Sequence, residues 1–228
     1  MNFPQPPHAA PERRFELIHE DEYLLVAGKP AGLLAVPGRG EDKQDCLIAR
    51  VQAEFPDALT VHRLDMATSG LMLFARGAEM QSRLSRMFRE RLIEKRYVAL
   101  IAGKIQPETG EIALPLIADW PNRPRQKVDH DTGKPSLTRY RLLDYDAASD
   151  IGRVELEPVT GRTHQLRVHL AASGHAIVGD TLYGGRVSAR LMLHACLLNF
   201  AHPLSGQPLI LTSEPPFRTL TDAILSPA

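Results

Sequence analysis

The apolar positions of the chain fall into short runs separated by Gly, Pro and charged clusters, a pattern of sheet more than of long helices. Leu71–Ala75, "LMLFA", is an unbroken apolar run of strand length, which predicts a strand buried on both faces. "EKRYVALIAG", ending at Gly103, "RVELEP" and "RLMLHACLLNFAHP" predict further strands. The stretch from Ile112 to Tyr145 alternates short apolar runs with Pro- and Gly-rich turns, as antiparallel sheet does. Near the start, "FELIHEDEYLLVAGKPAGLLAVPG" gives two apolar runs broken by Gly28, Lys29, Pro30 and Gly32.

Three segments carry helical signals. Cys46 to Phe55 precedes Pro56, a helix stop. In "GAEMQSRLSRMFRERLI", Met80, Leu84, Met87, Phe88 and Leu92 form a stripe at helical spacing, with Arg83, Arg86, Arg89 and Arg91 largely off it. "THQLRVHLAASG" has Thr163 as its expected N-cap and Gly174 as its expected C-cap. The expected class is therefore α+β, a mixed and mostly antiparallel central sheet with flanking helices. The expected division is a disordered tail over 1–14 and one domain over 15–228.

Composition narrows the partners. A 43% apolar and 24% charged chain of 228 residues is an ordinary globular protein with a substantial core. Lys plus Arg and Asp plus Glu both number 27, so a polyanionic partner has to be held by local clusters. Two such clusters exist. Arg83 to Arg96 holds six basic residues against two acidic ones, and "WPNRPRQKVDHDTGK" places Arg123, Arg125, Lys127 and Lys134 around Trp120. Either could be a solvated surface, but two arginine-rich segments beside a Trp favour a nucleic-acid surface. Cys46 and Cys196 form no metal or disulfide pattern, and no apolar run approaches membrane-spanning length. The opening residues lack the apolar core of a signal peptide, so the expected location is the cytoplasm.

Candidate chemistry centres on "VHRLDMATSG", Val61 to Gly70. Asp65 stands at the mouth of a core strand, where a carboxylate is costly unless paired, although Asp, Thr, Ser and Gly are also common turn residues. Arg162, behind Gly161 at the start of a predicted helix, is the expected partner, its guanidinium fork suited to a carboxylate. Nine histidines invite a metal, but His164 and His169 would lie about 140° apart on a helix. His62 and His194 have no ligand-like neighbours, so no metal is expected. GxSxG, GxGxxG and phosphate-loop motifs do not occur.

"HRLDMATSGLMLFAR", "KRYVALIAG", "GRTHQLRVHLAASGHAIVGD" and "RLMLHACLLNFAHP", in that order, closely resemble the RluA family of RNA pseudouridine synthases, from about Phe15 onward. "PLIADWPNRPRQKVDHDTGKPSLTRY" resembles the short members of that family that act on both ribosomal and transfer RNA. The family's early Asn-Lys-Pro stands here as Gly28-Lys29-Pro30, read as a structural loop, and no S4-type module is expected before the domain. The resemblance implies a mixed, mostly antiparallel sheet around a central cleft. It assigns Asp65 as catalytic carboxylate, Arg162 as its basic partner, and Tyr97 as the aromatic residue on the target base, with a part in proton transfer. It also places Arg63 where the target nucleotide leaves the stack and Leu193 in the apolar floor. His62, Arg83, Arg86, Arg89, Trp120, Arg123 and Arg125 complete the expected RNA-binding set.

The implied reaction breaks the uridine N1–C1′ bond and joins C5 to C1′ with no change in composition, so no cofactor is expected. A carboxylate near C1′ or C6 serves either as nucleophile or in assisting bond cleavage. The base must be extruded, which costs a few kcal/mol and calls for an aromatic face in a pocket. The expected partner is RNA, as rRNA or tRNA stem-loops, with no membrane and no metal, and the protein acting as a monomer. A non-catalytic RNA-binding protein is the competing class, and a nuclease or glycosidase would need a second carboxylate beside Asp65.

Overall fold

The computed structural model describes residues 15–217, so the expected tail over 1–14 lies outside the described residues. Chain order is β1 (Glu16–Glu20), β2 (Leu24–Lys29), α1 (Leu47–Gln52), β3 (Ala58–Thr60), β4 (Ser69–Arg76) and α2 (Ala78–Glu90). Then come β5 (Glu94–Ala102), β6 (Thr109–Ala113), β7 (Leu116–Ala118), β8 (Gln126–Val128) and β9 (Leu137–Asp146). The chain closes with β10 (Ile151–Pro158), α3 (Gln165–Ala172), β11 (Leu193–Ala201) and β12 (Pro208–Thr212).

Among the described residues, ten strands form one sheet in the order β1-β2-β4-β11-β5-β10-β9-β6, with β12 beside β11 and β3 beside β4. All pairings are antiparallel except β4 with β11, and β7–β8 is a separate hairpin. Strand β4 is buried on both faces, as its apolar run predicts. Its alternate residues serve two layers, because successive side chains of a strand point to opposite faces. Met72 and Phe74 pack in the layer containing Leu47, Ile48 and Val51 of α1. Leu71, Leu73 and Ala75 pack in the layer containing Met80 and Leu84 of α2. Burying each such side chain contributes about 1.5–3 kcal/mol.

One segment left open by the pattern takes shape here, and one local expectation needs correction. The run Leu33–Val36, which the apolar pattern leaves unassigned, is a largely half-buried loop resting against the α1 layer, while the first apolar run forms the β1–β2 hairpin. Leu92 leaves the α2 stripe and is 57% exposed. The helix stops because Arg91 takes the left-handed conformation (φ 62°), and the Leu92 and Arg91 amides then donate to the Met87 and Phe88 carbonyls. That is the Schellman ending, built here on an arginine where glycine is usual.

The cleft originates where β4 meets β11. These strands pair over only His194–Ser69 and Ala195–Gly70; farther along, β4 takes β3 as neighbour and β11 takes β12. Gly70 is required at the crossing, since φ is +112° and a Cβ would lie 2.2 Å from the Ala195 carbonyl oxygen.

Candidate active site

A cleft of about 1850 Å³ opens over this junction and gathers residues from distant parts of the chain. Asp65, Tyr97, Arg63, Leu193, His62, Arg89 and Arg162 all line it. Arg83, Arg86, Trp120, Arg123 and Arg125 do not, although Pro124 brings the β7–β8 hairpin to its rim.

Asp65 begins a tight turn, its carbonyl accepting from the Thr68 amide, directly before β4. The loop facing this turn is pinned by Lys29. That side chain is buried, and its Nζ donates to the carbonyls of Pro30 (2.9 Å), Leu33 (2.7 Å) and Met66 (2.9 Å). Burial lowers the Lys29 pKa to about 8, against the opposing pull of the Asp65 carboxylate. The Gly-Lys-Pro loop thus fixes the backbone next to the aspartate.

The cation beside Asp65 is Arg167, not Arg162. Arg167 Nη1 lies 3.4 Å from Asp65 Oδ2, and its Nε and Nη2 donate to Asp180 at 2.7 and 2.8 Å. Arg162 instead directs Nε to the Pro135 carbonyl at 3.3 Å and is exposed. The reason is local. The Gln165 side chain accepts from the Arg162 amide and from Thr160 Oγ1, so 160–164 forms a turn outside the helix. The residue entering the helix is His164, in left-handed backbone (φ 54°), one position beyond the expected Thr163 cap. Arg167 then falls on the buried face of α3.

His164 Nε2 stands 3.8 Å from Asp65 Oδ2. His169 points elsewhere, bonding Ser136 and Thr138 hydroxyls in the core, so these two histidines do not converge. Among the described residues, no group of three or more His, Cys, Asp or Glu could hold a metal ion.

Tyr97 lies on β5, opposite Ala195 of β11 and Leu156 of β10, and packs between two core layers. Burial pushes its phenol pKa well above the ordinary value, and the Asp65 carboxylate adds to the shift. The phenol is therefore protonated at neutral pH and can donate a hydrogen bond. Leu193, opposite Ala99 on β5, is 2% exposed and supplies apolar floor. His62 has a structural bond: its Nε2 accepts from the Leu73 amide at 2.9 Å and its ring stacks on Phe88.

The arginine clusters divide. Arg83 bonds Glu79 at 2.7 Å and Arg86 faces Glu90 at 4.0 Å, both i,i+4 pairs on α2. Arg89, at the last turn, lines the cleft. Trp120 is 65% exposed with the Arg123 guanidinium stacked 3.1 Å from its ring centre. Arg125 is anchored, donating to the Leu182 carbonyl.

With this geometry in place, comparison with known proteins decides the family. The family model for RNA pseudouridylate synthase matches residues 23–172. This chain belongs to that family. It therefore isomerises uridine in RNA to pseudouridine. The chain is 47% identical over 197 residues to the dual-specificity RNA pseudouridine synthase RluA of Escherichia coli K12, covering 85% of this chain and 90% of that protein. It is 45% identical over 205 residues to the RluA of Yersinia pestis, covering 88% and 99%. Among solved structures, human RNA Pseudouridylate Synthase Domain Containing 1 superposes with a TM-score of 0.75 at 31% identity, covering 90% of this chain and 85% of that one. The mixed, mostly antiparallel sheet agrees with that fold.

The site residues missed in the sequence are Arg167, Asp180, His164 and Tyr183. Arg167 and His164 lie inside "GRTHQLRVH", and Asp180 closes the quoted motif. The available signal for the rest was the glycine punctuation of "GDTLYGG", residues 179–185.

Proposed function

We propose that this enzyme modifies uridines in both large-subunit ribosomal RNA and the tRNA anticodon stem-loop, with Asp65 as the reacting carboxylate. The similarity to dual-specificity relatives over nearly their whole length supports the substrate pair. The observation that carries the residue assignment is the contact of Asp65 Oδ2 with Arg167 in the cleft that Tyr97 also lines.

In this reading the target uridine leaves its stack and enters the cleft, Arg63 fills the vacated space, and the base lies against the Tyr97 ring. Asp65, oriented through one oxygen by Arg167, acts at C1′ or C6. The protonated Tyr97 hydroxyl serves as a donor. The walls formed by Leu193 and Tyr97 keep water from the detached base. Arg162 and Arg89, exposed at the cleft, bind phosphate, with Trp120 and Arg123 extending the RNA surface from the hairpin. Arg83, Arg86 and Arg125 add positive potential at its margin. The enzyme works as a monomer and single catalytic domain in the cytoplasm, needing no metal or cofactor.

Incubating pure protein with uridine-labelled anticodon and rRNA hairpins, without additives, tests this reading. Pseudouridine in both RNAs is expected. Product in one RNA alone overturns dual specificity, and dependence on an added metal overturns the metal-free chemistry.

A further inference from the structure

The segment Gly179–Gly185 joins the site to the β7–β8 hairpin through three contacts. Its Asp180 grips Arg167, its Leu182 carbonyl accepts from Arg125, and its Tyr183 hydroxyl meets two partners. The segment is geometrically locked: a Cβ at Gly179 (φ +79°) would fall 1.8 Å from the Arg190 carbonyl oxygen.

The two partners of Tyr183 favour one proton arrangement. Its hydroxyl oxygen accepts from the Gln126 backbone amide at 2.8 Å and lies 2.7 Å from His164 Nδ1. An amide N–H can only donate, so the phenol's single proton is free to go to the imidazole. When the phenol gives that proton to Nδ1, the neutral ring carries its own proton on Nε2. That nitrogen is the one 3.8 Å from Asp65 Oδ2. Burial favours the neutral imidazole, with the Asp65 carboxylate opposing it and Arg167 assisting. Hydrogen bonds therefore link the β8 backbone through Tyr183 to His164, whose Nε2 faces the aspartate at 3.8 Å as a charge contact.

We propose that Tyr183 and His164 are positioning residues for Asp65, and that they tie its orientation to the β7–β8 hairpin carrying Trp120 and Arg123. The Nε2–H and Arg167 both approach Oδ2 and steer the other oxygen to the substrate. The left-handed backbone at His164, a strained conformation held at a functional site, is what aims the ring. The proposal rests on Asp65 being the reacting carboxylate.

Tyr183→Phe removes one hydroxyl and keeps the ring beside Arg167. We expect the single-turnover rate at saturating enzyme to fall about tenfold or more, with RNA affinity within about twofold and melting temperature nearly unchanged, because positioning acts on the chemical step. The His164→Ala and Tyr183→Phe losses should not multiply in the double variant, since the hydroxyl acts through the imidazole. Nitrogen-15 ring shifts of His164 should show an unprotonated Nδ1 in the wild type and loss of that preference in Tyr183→Phe. If Tyr183→Phe does not fold, His164→Asn, which suits the left-handed backbone, carries the same rate expectation. An unchanged rate, multiplying losses, or a protonated Nδ1 in the wild type overturns the proposal. The shifts are read without substrate, so they test the chain separately: an active Asp65→Asn would sink the catalytic reading while leaving the tautomer result standing.

Discussion

Arg167 Nη1 reaches Asp65 Oδ2 at 3.4 Å while the rest of the same guanidinium is held by two bonds to Asp180. The cation is fixed by the buried acid behind it, so its position does not depend on Asp65. The carboxylate at the cleft is thus oriented by a preformed partner, and its side chain keeps 27% exposure toward the substrate space.

Asp65→Asn tests the carboxylate directly. Asn suits a turn as well as Asp does, so the fold and RNA affinity should persist with little change in melting temperature. Pseudouridine formation should drop below detection in single-turnover assays. Measurable product from protein free of deamidation removes Asp65 from the chemistry.

Arg167→Ala and Arg162→Ala should separate sharply. Removing Arg167 leaves Asp180, 1% exposed, as an unpaired buried charge, a loss of about 3–5 kcal/mol of stability alongside loss of activity. Asp180→Asn in the Arg167→Ala background should restore much of that stability but not turnover. Arg162→Ala, removing an exposed side chain bonded to one carbonyl, should leave melting temperature nearly unchanged and act through RNA affinity. Equal stability losses for both arginines would contradict this assignment.

The error over Arg162 shows where sequence legibility ended. Strand β4, Tyr97 on its strand and Asp65 at the strand mouth follow from apolar patterning and motif order, because burial is written in residue type. Which arginine of "GRTHQLR" faces the aspartate depends on where the helix begins. That start is set by the left-handed His164 and the Gln165 side-chain bonds, and neither has a residue-type signature. The Arg91 ending of α2 was hidden for the same reason: backbone sign is legible at glycine and silent at arginine.

The α2 arginines should prove unequal in RNA binding. Arg83 and Arg86 already face Glu79 and Glu90, whereas Arg89 stands in the cleft. Arg89→Ala should weaken binding most and lower the slope of log affinity against log salt by roughly 0.7–0.9, one phosphate contact. Arg83→Ala should change it least, and single-turnover rates at saturating enzyme should hold for both. A larger salt effect from Arg83 would reassign the RNA track along α2.

Stability should fall on acidification in a window set by two histidines. Burial holds His62 neutral down to a pKa of about 3 and His194 to about 4, with Lys95 and Arg190 respectively adding to the shifts. His62 is also committed to a neutral-ring role, its Nε2 accepting from the Leu73 amide, and His194 Nδ1 lies 2.8 Å from Ser69 Oγ at the β4–β11 crossing. In the unfolded chain both titrate near the ordinary value of about 6.5. Their folded pKa values are lower, so below pH 6.5 the unfolded state binds protons that the folded state refuses. Stability is then full above about pH 6.5 and is lost as pH falls toward 4, at up to about 1.4 kcal/mol per pH unit for each histidine. His62→Gln, whose side-chain oxygen can still accept from Leu73, cannot titrate. Denaturant melts of that variant at pH 5 and pH 7 should therefore show a shallower pH dependence by about one proton. A slope equal to the wild type's would mean that His62 is protonated in the fold and that its bond to β4 has another form.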